Sequence, residues 1–398
     1  MGRSPHMTSD LRERLAAHPY FTAWTDPMSG VESFVLTHRV APMHKGWYYA
    51  NPSVSADQRW FWFRAAFPPS RSWFQAVVCL DPDAPSAHLL HGSHCGSGNA
   101  LLTPEGDRAY VPVEDGIHLM GPGVETETVW RFPREHIGTR QFRRLCTTLT
   151  ASADGRFWLL DSRVGDRWLI GLVERATGEY RLLRAFNRSH HHAMFSPTDP
   201  RLFMVSHGPG NHETTGDRFD MNVRMWLMDT ELTRYEPVLP DLWFGQNSWA
   251  CHEWWMADGR IAWCDYEAGV HECDPVGVYE RRRRLVWPRK LIHAHADPAG
   301  RYYAGDHDPY KWSDERPCQV WFFDRQSGLD IAVASAMPTP RVEPGDRRAW
   351  HLDPHCHFTP DGQGFVWTTT VLGPCDVAIT PVEGAVRRLE AAGRPASL

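Results

Sequence analysis

The chain has 398 residues and a formal net charge of −6, from 42 basic and 48 acidic side chains with 22 histidines counted as neutral. Hydrophobic residues make up 42% and charged residues 23%, which excludes a disordered or fibrous chain and allows a large core. The negative charge does not favour nucleic acid as a partner. The one dense basic run, Arg281–Arg284, is predicted to be a solvated turn or hairpin tip rather than a phosphate site.

The first 20 residues are predicted to form a separate N-terminal segment. We interpret residues 1–6 as a vector-derived remnant ahead of a native Met7, and Ser9–Ala17 as a short helix. No stretch approaches the roughly 20 apolar residues of a membrane span, and the chain start lacks an apolar signal core. Nine cysteines without a Cys-x-x-Cys pair indicate reduced, buried thiols. We therefore expect a cytoplasmic protein with no membrane partner.

Strand and turn signals dominate the rest of the chain, which has 31 glycines, 31 prolines and 19 tryptophans. The predicted strand segments, in chain order, are Trp60–Ala65, Trp73–Leu80, Trp168–Leu183, Trp226–Val238, Val320–Val333 and Val377–Leu389. By contrast, His88, His91 and His94 are spaced three apart beside Gly92, which does not match strand alternation and predicts a polar loop.

A short phrase recurs, in which a polar turn of the Pro-Asp-Gly type is followed by an apolar run. Its turn positions are residues 155, 200, 259, 300 and 362, with intervals of 45, 59, 41 and 62 residues. Such intervals are typical of propeller blades with variable loops. The sequence therefore predicts an all-β fold, a seven-bladed β-propeller of four-stranded antiparallel blades. It is expected to be a single domain over residues 21–390, with a tail at 391–398.

Histidines precede these turns at a fixed distance. His252, His293 and His355 each stand seven residues before the turn glycine, and His192 stands eight before Pro200. The first strand of a propeller blade lines the central channel. Equivalent positions in successive blades should therefore face one another across that channel.

Two of these histidines are doubled, as His293-Ala294-His295 and His355-Cys356-His357. Side chains alternate along a strand, so both histidines of a pair project from one face and Cys356 from the other. Two facing pairs of imidazoles suit a borderline divalent metal such as Mn²⁺, Fe²⁺ or Zn²⁺.

A series of segments in this order resembles the oligogalacturonate lyases, which are metal-dependent seven-bladed propeller lyases that act on short pectin fragments. The segments are His192–Pro200, Val223–Trp226, His252–Gly259, His293–Asp297 and His355–Gly362. The resemblance extends over about half of the chain, residues 187–369, and its specificity lies in the order and spacing of the phrases.

The resemblance implies a catalytic role for two residues. His252 corresponds to the general base, and Arg224 to the arginine that binds the substrate carboxylate. It also implies that His192 and His207 contact the substrate. The residues after His207 depart from the family pattern, so the substrate pocket is expected to differ from that of the family.

The resemblance further implies that His293, His355 and His357 bind the metal. The family has a glutamine where this chain has Leu352, so either that ligand is lost or the adjacent His351 replaces it. Mn²⁺ is the expected ion, with Fe²⁺, Zn²⁺ or Ca²⁺ as alternatives.

The implied function is β-elimination on short uronate oligosaccharides, with an acidic oligosaccharide as the partner. Two alternatives stay open: a propeller that binds a metal and a sugar acid or a partner protein without turnover, and a uronate isomerase or epimerase. The acid for the leaving group is not assigned; the tyrosines considered are Tyr302, Tyr303 and Tyr310. The tryptophans Trp254, Trp255 and Trp350 either stack on sugar rings or belong to the core between blades.

Overall fold

The chain folds as a seven-bladed β-propeller of antiparallel blades, which confirms the predicted fold class. This architecture is seen in a computed structural model that describes residues 11–95, 99–211, 215–219, 222–307, 309, 312–340 and 352–393. His351, Trp350 and Tyr310, all named by the sequence analysis, lie outside the described residues.

The first elements are helix α1 (Leu11–Ala17) and strands β1 (Phe21–Thr25) and β2 (Glu32–Leu36). Blade 1 contains β3 (Met43–Lys45), β4 (Trp60–Ala66), β5 (Trp73–Cys79) and β6 (Ser86–Cys95). Blade 2 contains β7 (Leu101–Leu102), β8 (Ala109–Val113), β9 (Gly116–Met120) and β10 (Glu127–Arg131), and helix α2 (Arg134–Ile137) follows. Blade 3 contains β11 (Phe142–Arg144), β12 (Thr150–Ala151), β13 (Phe157–Val164), β14 (Arg167–Glu174) and β15 (Tyr180–Phe186).

Blade 4 begins with β16 (His190–Phe195) and β17 (Leu202–His207), continues after the small hairpin of β18 (Gly210–Asn211) and β19 (Arg218–Phe219), and ends with β20 (Met225–Asp229) and β21 (Tyr235–Pro237). Blade 5 contains β22 (Ala250–Trp255), β23 (Ile261–Asp265), β24 (Gly269–Cys273) and β25 (Arg284–Trp287). Blade 6 contains β26 (His293–Ala296), β27 (Tyr302–His307), β28 (Cys318–Asp324) and β29 (Leu329–Met337). Blade 7 contains β30 (His357–Phe358), β31 (Gly364–Thr369) and β32 (Asp376–Pro381), and helix α3 (Val382–Ala392) follows.

The ring is closed by strands from the two ends of the chain. Strand β2 pairs with β32, with Phe34 opposite Ile379, and β1 adds an outer strand. The prediction of a strand pair over Val377–Leu389 is therefore wrong in its second half, which is helix α3. Its apolar residues Val382, Ala385 and Leu389 follow helical spacing and are buried, while the N-terminal strands complete the blade.

The recurring phrase forms the turn between the first and second strand of a blade. At Gly155, Gly259, Gly300 and Gly362 the backbone has a φ of +71°, +86°, +67° and +72°, which explains the glycine. In blade 5 the Gly259 N–H donates to the carbonyl of Met256, which follows β22, and β23 begins at Ile261. The first strands therefore run along the channel into these turns, as predicted.

The hydrophobic core lies between neighbouring blades. Trp287 of blade 5 stacks on Phe323 of blade 6 at 5.1 Å, and Phe322 stacks on Phe365 of blade 7 at 5.9 Å. Burial of each large side chain contributes about 1.5–3 kcal/mol. The ring of inter-blade cores leaves the channel side of the first strands available for polar groups.

One local prediction is wrong, and another is confirmed only in part. His88, His91 and His94 lie on the outer strand β6 and not in a loop. The pairing of β6 with β5 has an irregular register around Gly92, so the side chains of β6 do not alternate strictly there. Within the basic run, Arg281 is buried and donates to the carbonyls of Pro237 and Val238, although its three neighbours are exposed as predicted.

Among the residues that the structure describes, none of the helices has both the length and the apolar character needed to cross a membrane.

Candidate metal centre and active site

Three of the predicted histidines have an unusual backbone conformation. His192, His252 and His355 have φ values of +52°, +52° and +48°. His192 and His252 lie at register shifts between the first and second strands of blades 4 and 5. A non-glycine residue held in this region costs of order 1–3 kcal/mol, and such strain concentrates at functional sites. The repeat therefore places strained histidines at equivalent channel positions.

A group able to hold a metal ion lies between blades 6 and 7. It consists of His293, Asp353 and His355, whose ligand atoms all lie within 4.8 Å of one another, and all three residues are buried. The ring centroids of His293 and His355 are 4.4 Å apart. Two imidazole nitrogens and a carboxylate oxygen form a donor set that suits borderline divalent metals. The residues present therefore fit a divalent metal.

Asp306 orients this group. Its carboxylate accepts a hydrogen bond from Nδ1 of His293 at 2.9 Å and from the backbone N–H of His355 at 3.2 Å. Burial opposes protonation of His293, but the Asp306 carboxylate outweighs it and raises the pKa of His293. With its proton on Nδ1, His293 presents Nε2 to the group, as metal-ligating histidines usually do. Burial raises the pKa of Asp353, although the charge of His293 opposes that shift.

His357 has a different environment from the one predicted for a metal ligand. Its Nδ1 lies 3.0 Å from the carbonyl oxygen of His355, and its Nε2 lies 2.6 Å from the hydroxyl of Ser53. With His295 and Trp254 it lines a cavity of about 400 Å³ at the turn end of the channel. The structure thus brings together the first histidine of each pair and directs the second toward this cavity.

Leu352, which stands where the family has a glutamine, is buried. The carboxylate that joins the metal group belongs to the next residue, Asp353. Asp353 was not predicted as a ligand, although an acidic residue two positions before a predicted ligand was a visible signal. The alternative ligand His351 lies outside the described residues.

His252, the predicted base, lies directly beside the metal group. Its ring centroid is 4.1 Å from that of His293. Its Nδ1 lies 2.6 Å from the carbonyl of Ile292 and 3.1 Å from the hydroxyl of Tyr266. Because a carbonyl only accepts, Nδ1 carries the proton and Nε2 has the lone pair. Burial and the neighbouring His293 lower the pKa of His252 well below its usual value, so the ring is neutral.

Arg224 is held by a buried carboxylate. Its Nε lies 2.7 Å from Oε2 of Glu253 and its Nη2 3.3 Å from Oε1. Ser206 also donates to Glu253, and Nδ1 of His192 lies 3.3 Å from it. Burial would raise the pKa of Glu253, but Arg224 and His192 hold it well below the usual value. The sequence analysis did not single out Glu253, although it adjoins His252.

His207, a predicted substrate contact, lies apart from this cluster. Its ring stacks on Trp226 at a centroid distance of 4.9 Å and lies 4.1 Å from that of His190. Its neighbour Ser206 reaches Glu253, so strand alternation sends His207 to the opposite face. Burial lowers the pKa of His207 to about 3.

Tyr48 lies between the metal group and the residues around Glu253. It was not predicted as a site residue from the sequence. Its ring centroid lies 5.0 Å from that of His355 and 5.3 Å from that of His192, and its hydroxyl lies 2.8 Å from that of Tyr49. The side-chain amide of Asn99 bonds both its backbone N–H and its carbonyl, at 3.3 and 3.1 Å. Tyr48 therefore has a fixed backbone and a half-buried side chain in the channel.

Two of the tyrosines proposed from the sequence, Tyr302 and Tyr303, lie away from the metal group. Tyr302 and Tyr303 pack on Phe322 and Phe323 within blade 6, at 5.3 and 6.1 Å. Trp255 lines the cavity at the turn end of the channel.

The sequence matches no family model and no curated protein. Solved structures do match. An oligogalacturonate lyase in complex with manganese aligns over 91% of this chain and 96% of its own, with a TM-score of 0.71 and 19% identity. This chain shares the fold of the oligogalacturonate lyases. A second such lyase, from Vibrio parahaemolyticus, aligns over 91% and 96% of the two chains, with a TM-score of 0.70 and 16% identity. The resemblance predicted from the sequence is thus confirmed at the level of the fold.

Proposed function

We propose that this protein is a metal-dependent lyase that cleaves short uronate oligosaccharides by β-elimination. The observation that carries the proposal is the position of His252. Its ring lies 4.1 Å from that of His293, in a buried group of two histidines and an aspartate. Elimination needs both a neutral base and positive charge near the substrate carboxylate, and this arrangement can provide both.

A divalent cation held by His293, Asp353 and His355 would supply positive charge to the uronate carboxylate as negative charge develops, an effect worth several kcal/mol. We propose Mn²⁺ first, because one fold relative was solved with manganese and the donor set fits it. Fe²⁺ and Zn²⁺ accept the same donors, whereas Ca²⁺ prefers oxygen ligands.

His252 acts as the base in this proposal. Nε2 takes the proton from C5 of the uronate, the C5–H pair forms the C4–C5 double bond, and the C4–O4 bond breaks. The leaving O4 takes a proton from Tyr48. Tyr49 is buried and burial raises its pKa, so it can donate to the Tyr48 oxygen and make the Tyr48 hydroxyl a better acid. After product release His252 loses its added proton to solvent and Tyr48 regains one from solvent.

In this proposal Arg224 contributes positive charge and does not bind the substrate carboxylate through two of its nitrogens. Because Glu253 occupies its Nε and Nη2, the guanidinium is held rigidly, and its charge is among the causes that lower the pKa of His252. Pre-oriented charge of this kind stabilises a developing anion without reorganisation. In this proposal, His192 completes the support of Glu253.

The test is the ultraviolet absorbance of the conjugated unsaturated uronate, measured with digalacturonate and Mn²⁺. We expect the chromophore from wild type, its loss with chelator, and a His252→Ala rate lower by about 10²–10⁴-fold at unchanged metal content. Absence of the chromophore with Mn²⁺, Fe²⁺ and Zn²⁺ alike would contradict the proposal. Binding of digalacturonate without chromophore would instead favour the non-catalytic alternative, and a changed sugar without chromophore an isomerase or epimerase.

A cytoplasmic location is part of this proposal. Its support is eight described cysteines that are all buried and free, as expected in a reducing compartment.

A further inference from the structure

The loop of residues 240–249, here called the rim loop, presents two exposed tryptophans. Trp243 is 44% exposed and Trp249 is 43% exposed. Among the described residues, the other tryptophans are buried or half-buried. Two exposed aromatic side chains in one loop mark an interaction site more often than single exposed apolar residues do.

The rim loop lies at the channel mouth beside the proposed base. It joins β21 of blade 4 to β22, the first strand of blade 5. Trp249 directly precedes β22 and stands three residues before His252, a distance of about 10 Å along a strand. The backbone N–H of Tyr266 donates to the carbonyl of Trp249, and the hydroxyl of Tyr266 lies 3.1 Å from Nδ1 of His252. The loop and the base therefore share one anchoring residue.

The rim loop is held in shape by its own hydrogen bonds. The backbone N–H of Trp243 donates to the side-chain oxygen of Asn247 at 2.8 Å, and the Asn247 side-chain amide donates to the carbonyl of Asp241 at 2.7 Å. The Phe244 ring packs edge-on against Trp249 at 5.2 Å. The backbone N–H of Trp249 donates to the Asp265 carboxylate at 3.2 Å. A loop backbone fixed in this way, with the Trp249 ring packed on Phe244, loses little conformational freedom when a ligand binds.

We propose that Trp243 and Trp249 form a stacking subsite for a sugar ring of the substrate that is remote from the cleaved bond. The inference rests on the proposed function for the identity of the sugar, a uronate. A pyranose ring has a face of C–H groups that packs on an indole, while its hydroxyl groups and carboxylate stay in water. The distance of about 10 Å from His252 predicts that the subsite acts on chains longer than a dimer.

The experiment compares Trp249→Ala, Trp243→Ala and the control Tyr279→Ala. Tyr279 is 87% exposed and lies between β24 and β25, at the other end of blade 5. The Michaelis constants for di-, tri- and tetragalacturonate are measured with the Mn²⁺-loaded full chain. Calorimetric titration of trigalacturonate gives affinity independently of turnover. Circular dichroism checks folding, and Trp243→Ala carries the test if Trp249→Ala does not fold.

We expect Trp249→Ala to raise KM and weaken binding for trigalacturonate about tenfold, equal to about 1.4 kcal/mol, with a smaller effect on digalacturonate. Equal KM values and affinities for all three variants would overturn the subsite. The same change in KM for di-, tri- and tetragalacturonate would also overturn it. A change in oligomeric state without a change in sugar affinity would assign the tryptophans to a protein contact and also overturn it. If wild type forms no chromophore, the proposed function fails, and calorimetry still decides the subsite: weaker trigalacturonate binding by Trp249→Ala supports it, and unchanged or absent binding overturns it.

Discussion

Nδ1 of His293 lies 2.9 Å from a carboxylate oxygen of Asp306, and both side chains are buried. This hydrogen bond fixes the imidazole that faces Asp353 and His355. We predict that Asp306→Asn weakens metal affinity by about 10–100-fold. Calorimetric titration of Mn²⁺ measures it, with Asp324→Asn as the control, because Asp324 is buried on the same blade but pairs with Arg301. Equal affinity of the two variants would contradict an orienting role.

Asp353 and His357 are the two candidates for the third metal ligand, beside His293 and His355. The resemblance implies His357, whereas the structure groups Asp353 with His293 and His355. We predict that Asp353→Ala loses stoichiometric metal after dialysis and that His357→Gln retains it, since His357 bonds Ser53 and the His355 carbonyl. Elemental analysis of both variants decides between them. Loss of metal only in His357→Gln would restore the ligand set implied by the resemblance.

The channel histidines were predictable because they stand at a fixed distance from a turn that each blade repeats. Their individual directions were not. Strand alternation predicted that His355 and His357 share one face, but strand β30 begins only at His357, and His355 has a φ of +48°. The alternation rule holds only within a strand. Asp353 could enter the metal group because the chain before His357 is irregular.

Tyr48 was unpredictable for a different reason. It belongs to no repeat phrase, and its backbone is held by Asn99, 51 residues away in the sequence. Arg64 in turn donates to the Asn99 amide oxygen at 2.9 Å. Such contacts depend on how blades 1 and 2 meet, which no local pattern encodes. The ring closure by β2 and β32 is equally non-local.

Arg224 and Glu253 form a pair that a conservative substitution should damage. Lysine keeps the positive charge but not the planar fork that bonds two carboxylate oxygens. We predict that Arg224→Lys lowers the free energy of unfolding by about 1–3 kcal/mol and slows turnover. Urea unfolding and the absorbance assay measure the two effects. A variant of wild-type stability and rate would show that the pair is unimportant for both.

His190 and His207 should make stability depend on pH. Burial lowers the pKa of His190 to about 4 and that of His207 to about 3, so both are neutral in the folded protein. Below about pH 6.5 the unfolded chain binds protons that the folded chain does not, so stability falls as pH falls, by up to about 1.4 kcal/mol per group and pH unit. We predict that His207→Gln makes the decrease in Tm between pH 7 and pH 5 smaller.

His207→Gln also tests whether His207 contributes to packing alone or contacts the substrate. His207 stacks on Trp226 and lies on the face opposite Ser206, so His207→Gln should change turnover at pH 7 by less than about threefold, the scale of an indirect effect. A large increase in KM without a change in Tm would instead support the substrate contact that the resemblance implies.

Tyr48 supplies the last prediction, since it carries the proton for the leaving oxygen in the proposed mechanism. Tyr48→Phe keeps the ring that packs beside His355 and His192 but removes the hydroxyl. We predict a fall in kcat of about 10²-fold or more with metal content unchanged. Tyr49→Phe is the matched control, because it removes only the hydrogen bond to the Tyr48 oxygen and should lower kcat much less. A substrate whose leaving group needs no proton should restore the rate of Tyr48→Phe. If it does not, or if both variants turn over at the wild-type rate, Tyr48 is not the acid and water must protonate O4.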